Sequence, residues 1–239
     1  MYKRFFAFGC SYTKYIWPTW ADIIAEDLKI EYHNYGRAGL GNVGIQCEII
    51  RADIDHNFNS DDLIIIMWSS WNREDRFIFN DWRAVGNIFT NDFYDDSFIK
   101  KYWSFENDII KNSTAIISIN KAFQNLISFQ SNILPPGEFE SKKYQLGRIQ
   151  PELFGWYNPF LPKEVFNTKE AYQCDRHPSI SSYLDYVEDK IYPSLGLNLK
   201  KETISLYKNI DLEIKKIDQT RDKNENKIYK IKNYLGIEQ

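Results

Sequence analysis

The segment that most restricts this chain is Leu63-Ile64-Ile65-Ile66-Met67-Trp68, an apolar run with no polar break. A strand with one wet face alternates apolar and polar side chains, so an unbroken run must be covered on both faces. The run is far too short to cross a bilayer, which takes about 20 apolar residues as a helix. It reads as a buried parallel strand, and parallel strands need long crossovers, usually helical. The flanking sequence supplies them. Residues 3–9 read as a first strand and 18–28 as its crossover helix; Lys29–Asn34 reads as a second strand. Val43–His56 reads as a helix whose Ile45, Ile49, Ile50 and Ile54 recur at helical spacing. This alternation predicts an α/β fold: a three-layer αβα arrangement around a doubly wound, mostly parallel sheet.

Further along, 97–125 reads as mostly helical and Leu126–Ile133 as a returning strand. Residues 138–170 are loop-rich around the aromatic stretch Phe154–Phe160, and Ser179–Tyr192 reads as a helix stopped by Pro193. The expected organisation is one domain over 1–197, carrying an aromatic-rich insertion around 76–170. A Lys-rich helical extension over 198–239 follows, with a solvated outer face packed on the domain. The 239 residues, 43% hydrophobic and 16% aromatic, suffice for a large core and exclude a disordered chain. A net charge of −3 gives no reason to expect nucleic acid as a partner, and no segment has the length of a membrane span. Met1–Phe5 runs straight into strand material without a leader-like apolar region. Cys10, Cys47 and Cys174 have neither zinc-site nor disulfide-framework spacing. A reduced, cytoplasmic setting without metal or cofactor is the expectation; the oligomeric state is left open.

The first strand runs into Gly9-Cys10-Ser11, placing a serine at the carboxyl end of a strand just before a helix. Open α/β sheets present groups to ligands there, and several hydrolases expose a nucleophile in this way. Acyl transfer by Ser11 needs a base within reach and a group that orients the base. Of the three histidines, His33 and His56 fall at element ends and read as surface residues. His177 lies in Asp175-Arg176-His177-Pro178 ahead of a helix. Pro178 restricts the backbone of His177 to extended conformations, and Asp175 is close enough in sequence to reach the second imidazole nitrogen.

Together these segments resemble the SGNH (GDSL-like) hydrolases in a divergent form. Gly9-Cys10-Ser11 is similar to their Gly-Asp-Ser opening, with cysteine for aspartate. Asn34-Tyr35-Gly36-Arg37-Ala38-Gly39 resembles the second block. Ser70-Trp71-Asn72 is similar to the Gly-x-Asn third block, with serine for glycine. Asp175–Pro178 resembles the final Asp-x-x-His-Pro, one residue short. The matches span residues 5–178 in order. The resemblance implies an SGNH/flavodoxin-like fold and a serine esterase or acyltransferase with Ser11 as nucleophile, His177 as base and Asp175 as acid. It also implies an oxyanion hole formed by the Ser11 and Gly39 N–H groups and the Asn72 side chain. The short final block leaves two arrangements open: Asp175 reaches His177, or a Ser–His dyad is oriented by a backbone oxygen.

The implied substrate is a small-molecule or glycan ester, with O-acylated carbohydrate favoured; Trp71, Arg73 and Tyr12 are the candidate contacts. Trp68, Trp82, Trp103 and the 154–160 cluster are further aromatics, and Arg37 and Arg76 further cations, that can serve substrate or packing alike. Two other readings stand beside the enzyme. A non-catalytic member of the fold would bind a glycan or protein. Gly39-Leu40-Gly41-Asn42-Val43-Gly44 also spells the dinucleotide fingerprint, although Asp61 and Asp62 precede the next strand instead of ending it.

Overall fold

A computed structural model of the chain describes residues 2–78, 81–89, 93–133, 164–175 and 177–237; the 154–160 aromatic cluster lies outside them. The main sheet contains β1 (Arg4–Phe8), β2 (Glu31–Asn34), β3 (Asp62–Trp68), β6 (Ile127–Asn132) and β7 (Glu164–Val165), in the order β2-β1-β3-β6-β7. All its pairings are parallel. This is the flavodoxin-like order, in which the chain reverses its direction of winding between β1 and β3 and leaves a crevice beyond their carboxyl ends.

Strand alternation divides the core in two. Phe5, Ala7, Leu63, Ile65 and Met67 face one helical layer, while Phe6, Phe8, Ile64, Ile66 and Trp68 face the other. The first layer is α1 (Trp20–Leu28), α5 (Ile180–Tyr186), α7 (Lys201–Asp218) and α8 (Asn224–Tyr234); the second is α2 (Asn42–His56) and α4 (Phe105–Phe123). Every residue of β3 is buried, as its unbroken apolar run requires. Helix α1 starts with a capping box, in which Thr19 accepts from Ala21 N–H and Asp22 accepts from Thr19 N–H.

Two expectations need correction, and one element carries no signal in the sequence. On α2, Ile45 and Ile49 are buried, but Ile50 is 42% and Ile54 77% exposed. The buried face is completed by Asn42, Gly44, Glu48 and Ala52, and Gly44 is small because Leu40 packs on it: a Cβ there would lie 2.3 Å from Leu40 Cδ1. The segment after residue 72 contains an antiparallel hairpin, β4 (Arg73–Ile78) and β5 (Asp81–Asn87). Its Arg-Glu-Asp-Arg start lacks the alternation that marks a strand. Finally, Pro193 does not stop the helix: α5 continues through a π-helical turn (Val187–Ile191) into α6 (Tyr192–Leu195), which contains Pro193 and ends at Gly196 in the left-handed conformation.

The carboxyl-terminal helices dock through both apolar and polar groups. Tyr207, Ile214 and Ile231 enter the core beside α1 and α5. Asp27 on α1 is buried and accepts hydrogen bonds from Tyr192 Oη (2.8 Å), Lys200 N (2.9 Å) and Thr203 Oγ1 (2.8 Å). Among the described residues, no helix is long and apolar enough to cross a membrane.

Candidate active site

The loop after β1 is shaped by a close approach at Gly9. A Cβ there would lie 2.1 Å from Thr13 Oγ1 and 2.9 Å from the Met67 carbonyl, so only glycine lets β1 end against β3. The chain then turns tightly, with Thr13 N–H and Lys14 N–H donating to the Cys10 carbonyl at 2.9 and 3.2 Å. Cys10 is fully buried on the α2 side of the sheet. Ser11 is 5% exposed, and its Oγ meets Cys10 Sγ at 4.0 Å.

The glycine loop after β2 is bound to this turn. Asn34 donates through Nδ2 to the Thr13 carbonyl at 3.0 Å and accepts from Gly36 N–H at 2.8 Å. Gly39 has φ +79°, and a Cβ on it would come 2.9 Å from the Ala84 carbonyl of β5. The hairpin therefore lies directly over the loop. From β4, Asp75 accepts Gly41 N–H and Gly44 N–H, each at 2.8 Å, and so caps α2 from another element. Burial pushes the Asp75 carboxyl above its ordinary range, against the pull of these two amides. The fingerprint glycines thus already hold a carboxylate of the same chain where a dinucleotide would place its phosphates. That observation removes the nucleotide reading.

Asn72 follows β3 and is fixed by a buried amide network that carries no recognisable sequence signal. Asn42 donates to the Ser69 carbonyl at 3.1 Å and accepts from Ser69 N–H at 2.7 Å. It also donates to Asn112 Oδ1 at 2.9 Å, and Asn112 in turn donates to the Trp71 carbonyl at 3.0 Å. The 69–72 turn is therefore held from both α2 and α4. Neither Ser11 N–H, Gly39 N–H nor the Asn72 side-chain amide donates to any described residue.

Asp175 and His177 stand on a loop closed at its mouth by two backbone bonds. Tyr172 N–H donates to the His177 carbonyl and Ser179 N–H to the Glu170 carbonyl, both at 3.2 Å. His177 Nδ1 lies 3.0 Å from Asp175 Oδ1. A carboxylate only accepts, so Nδ1 carries the proton and Nε2 is the basic nitrogen. Nε2 makes no hydrogen bond to a described residue. The imidazole stacks on Tyr15 (centroids 3.8 Å apart, planes 16° apart) and meets Tyr12 edge-on at 5.6 Å. Trp17 Nε1–H donates to the Pro178 carbonyl at 2.9 Å. The serine loop and the histidine loop therefore pack against each other through Tyr12, Tyr15 and Trp17. No hydrogen bond joins Ser11 Oγ to His177.

The remaining candidates separate by burial. Trp71 (2% exposed) and Trp68 (fully buried) are core residues, with Trp68 Nε1–H donating to Gln130 Oε1 at 3.0 Å, so neither offers a face to substrate. Arg73 Nη1 donates to the Leu40 carbonyl at 3.2 Å and ties the hairpin to the glycine loop. Arg76 is occupied by Tyr94 Oη (3.1 Å) and Glu74 (3.2 Å), and Trp103 donates to Asp108 at 2.8 Å. The side chain of Trp82 lies outside the described residues. Tyr12 is partly buried beside His177, and burial pushes its phenol above the ordinary range, so it stays neutral. His33 and His56 are half-buried rather than free surface residues: His33 stacks on Phe6 and pairs with Glu31 at 2.7 Å, and His56 Nε2 meets Tyr35 Oη at 2.9 Å.

No protein-family model and no curated protein sequence matches the chain. Among solved structures it is similar to a lipolytic protein of the G-D-S-L family from Veillonella parvula (12% identity, 76% of this chain and 92% of that one, TM-score 0.41). It is also similar to a carbohydrate esterase family 2 enzyme from Corynascus thermopiles (Myceliophthora fergusii) (15%, 81% and 67%, TM-score 0.46). An acetylxylan esterase from Geobacillus stearothermophilus is a third (13%, 83% and 97%, TM-score 0.45). These likenesses are loose, and the fold class rests on the strand order and parallel pairing themselves.

Proposed function

We propose that this protein is a serine esterase of the SGNH type, acting through an acyl-enzyme on Ser11. The observation that carries the reading is the state of His177: Asp175 holds Nδ1, Tyr15 holds the ring face, and Nε2 is left for a proton. Asp175 reaching His177 across a single residue is the first of the two arrangements left open by the short final block.

In this mechanism Nε2 accepts the Ser11 Oγ proton as Oγ attacks the ester carbonyl carbon. The carbonyl π pair moves to oxygen, and that oxyanion accepts hydrogen bonds from Ser11 N–H, Gly39 N–H and Asn72 Nδ2. Collapse expels the alcohol, which takes the proton back from His177. Water, or the hydroxyl of an acceptor in a transferase, then attacks the acyl-enzyme by the same route in reverse. Catalytic hydrogen bonds commonly tighten only when substrate fills the site, which accommodates the absence of a Ser11–His177 bond. Small O-acyl esters of carbohydrates are the proposed substrates, with Tyr12 at the site margin.

One observation favours a second reading, a ligand-binding module without catalysis: Ser11 Oγ rests against Cys10 Sγ and not against a base. A fluorophosphonate probe separates the two. An esterase gives a covalent adduct on Ser11 that is lost in His177→Ala. A folded protein that leaves Ser11 unlabelled is a binding module.

A further inference from the structure

We propose that Asp218, at the carboxyl end of α7, is a positioning residue for His177, and that the carboxyl-terminal helices are thereby part of the catalytic apparatus. The inference rests on the reading of His177 as the base. Asp218 is 5% exposed, and its two carboxylate oxygens take consecutive amides of the base loop. Gln173 N–H donates to Oδ2 at 2.8 Å and Cys174 N–H to Oδ1 at 2.9 Å. Asp175 is the next residue. The carboxylate that orients His177 is thus one peptide away from a backbone pair clamped by α7.

Asp218 is poorly placed for its own helix. A negative side chain in the last turn opposes the helix dipole, whose carboxyl end already carries partial negative charge. Local helix energetics therefore do not explain its burial there; the two loop amides compensate it, with Lys227 Nζ from α8 donating to the Asp218 carbonyl. A second attachment lies one helical stretch earlier. Tyr172 Oη donates to Asp211, which also accepts from Ser181 Oγ at 2.5 Å and pairs with Lys215 at 2.8 Å. The same Tyr172 closes the loop mouth by donating its N–H to His177. Burial, reinforced by the Asp218 carboxylate, pushes the Cys174 thiol up to about 12. It therefore stays a neutral packing group beside the acid.

The consequence is geometric. The Asp175–His177 contact of 3.0 Å is a hydrogen bond with little slack. A shift of about 1 Å in such a group costs on the order of a hundredfold in rate. Releasing the two amides in Asp218→Ala should lower kcat by about 10- to 100-fold with KM changed less than about twofold, because Asp218 is a partner of loop amides and not of substrate.

The test compares Asp218→Ala and Asp218→Asn with Asp27→Asn, which weakens docking of the same helices at Tyr192, Lys200 and Thr203. The readouts are kcat and KM on p-nitrophenyl acetate, melting temperature, and the downfield proton resonance of the His177 Nδ1–H bonded to Asp175. The expected result is loss of that resonance and of kcat in Asp218→Ala and an intermediate effect in Asp218→Asn, which keeps one acceptor oxygen. Asp27→Asn should melt lower with resonance and kcat retained. If Asp218→Ala does not fold, Asp218→Asn against Asp27→Asn decides. An unchanged His177 resonance in a folded Asp218 variant, or equal loss in Asp27→Asn, overturns the proposal. Should the wild-type protein hydrolyse no ester, the esterase reading fails separately, and the resonance still decides whether Asp218 positions His177.

Discussion

Replacing Asp75 with alanine isolates what the hairpin does for the glycine loop. The substitution removes the acceptor for Gly41 N–H and Gly44 N–H, both bonded at 2.8 Å. Hydrogen bonds to a charged group stabilise by about 1.5–3 kcal/mol each, and losing a helix cap costs about 1 kcal/mol. The desolvation of Asp75 opposes this gain and is the larger influence on its titration, since its carboxyl sits above the ordinary range despite two amide donors. Alanine relieves that desolvation but leaves the buried Gly41 and Gly44 N–H groups without an acceptor, at about 1–3 kcal/mol each. The net loss at neutral pH should therefore be about 2 kcal/mol, or a fall in melting temperature of about 4–8 °C for a chain of this size. The pH dependence then has a definite sign. A raised folded-state value means that the folded chain keeps this proton to higher pH than the unfolded chain does. Folding takes up protons in that window, so the Asp75 contribution is fully present below the ordinary carboxyl value of 3.8 and declines as pH rises through the folded value. The stability gap between wild type and Asp75→Ala should therefore widen as pH falls from neutral towards 3.8, measured by urea titration at each pH. An exposed capping carboxylate behaves in the opposite way. A gap that narrows on acidification would refute the reasoning, because the amide bonds would then outweigh burial.

Two further outcomes follow from the oxyanion arrangement. Asn72→Ala should reduce turnover by about a hundredfold or more with KM little changed, as for other single oxyanion donors; steady-state kinetics on an activated ester checks it, and a loss under about threefold removes Asn72 from the role. Gly39→Ala forces a Cβ to within 2.9 Å of the Ala84 carbonyl at a φ of +79°. It should lower stability by about 1–2 kcal/mol from the backbone conformation alone, together with activity; thermal denaturation that matches wild type would refute both the backbone cost and the clash.

The parallel αβα core was legible because its signal is local. Leu63–Trp68 can be satisfied only by cover on both faces, and the alternation of Phe5, Ala7 against Phe6, Phe8 divides cleanly between two helical layers. The serine and histidine loops were also legible, since each combines a glycine or proline constraint with a polar side chain at the end of a regular element. Local pattern could not distinguish the outer isoleucines of α2 from the inner ones. Ile54 stands at helical spacing from Ile50, yet both are exposed while Ile45 and Ile49 enter the core. Nor could it show the β4–β5 hairpin, whose charged start is accounted for only by the groups it meets: Asp75 by the amides of α2 and Arg73 by the Leu40 carbonyl.

The succession of strands and helices along the chain and the residue types offered for chemistry at their ends are consequences of backbone period and turn chemistry, which act within a few residues. The pairings that make these residues a site are of another kind. Asn42 with Ser69, Asn112 with Trp71, Asp75 with Gly41 and Asp218 with Gln173 join residues separated by long stretches of chain. Such contacts depend on how two helical layers and a hairpin are brought together. A polar side chain whose partner lies on another element has the same local sequence as one that faces water, and it is burial on folding that makes the partner obligatory.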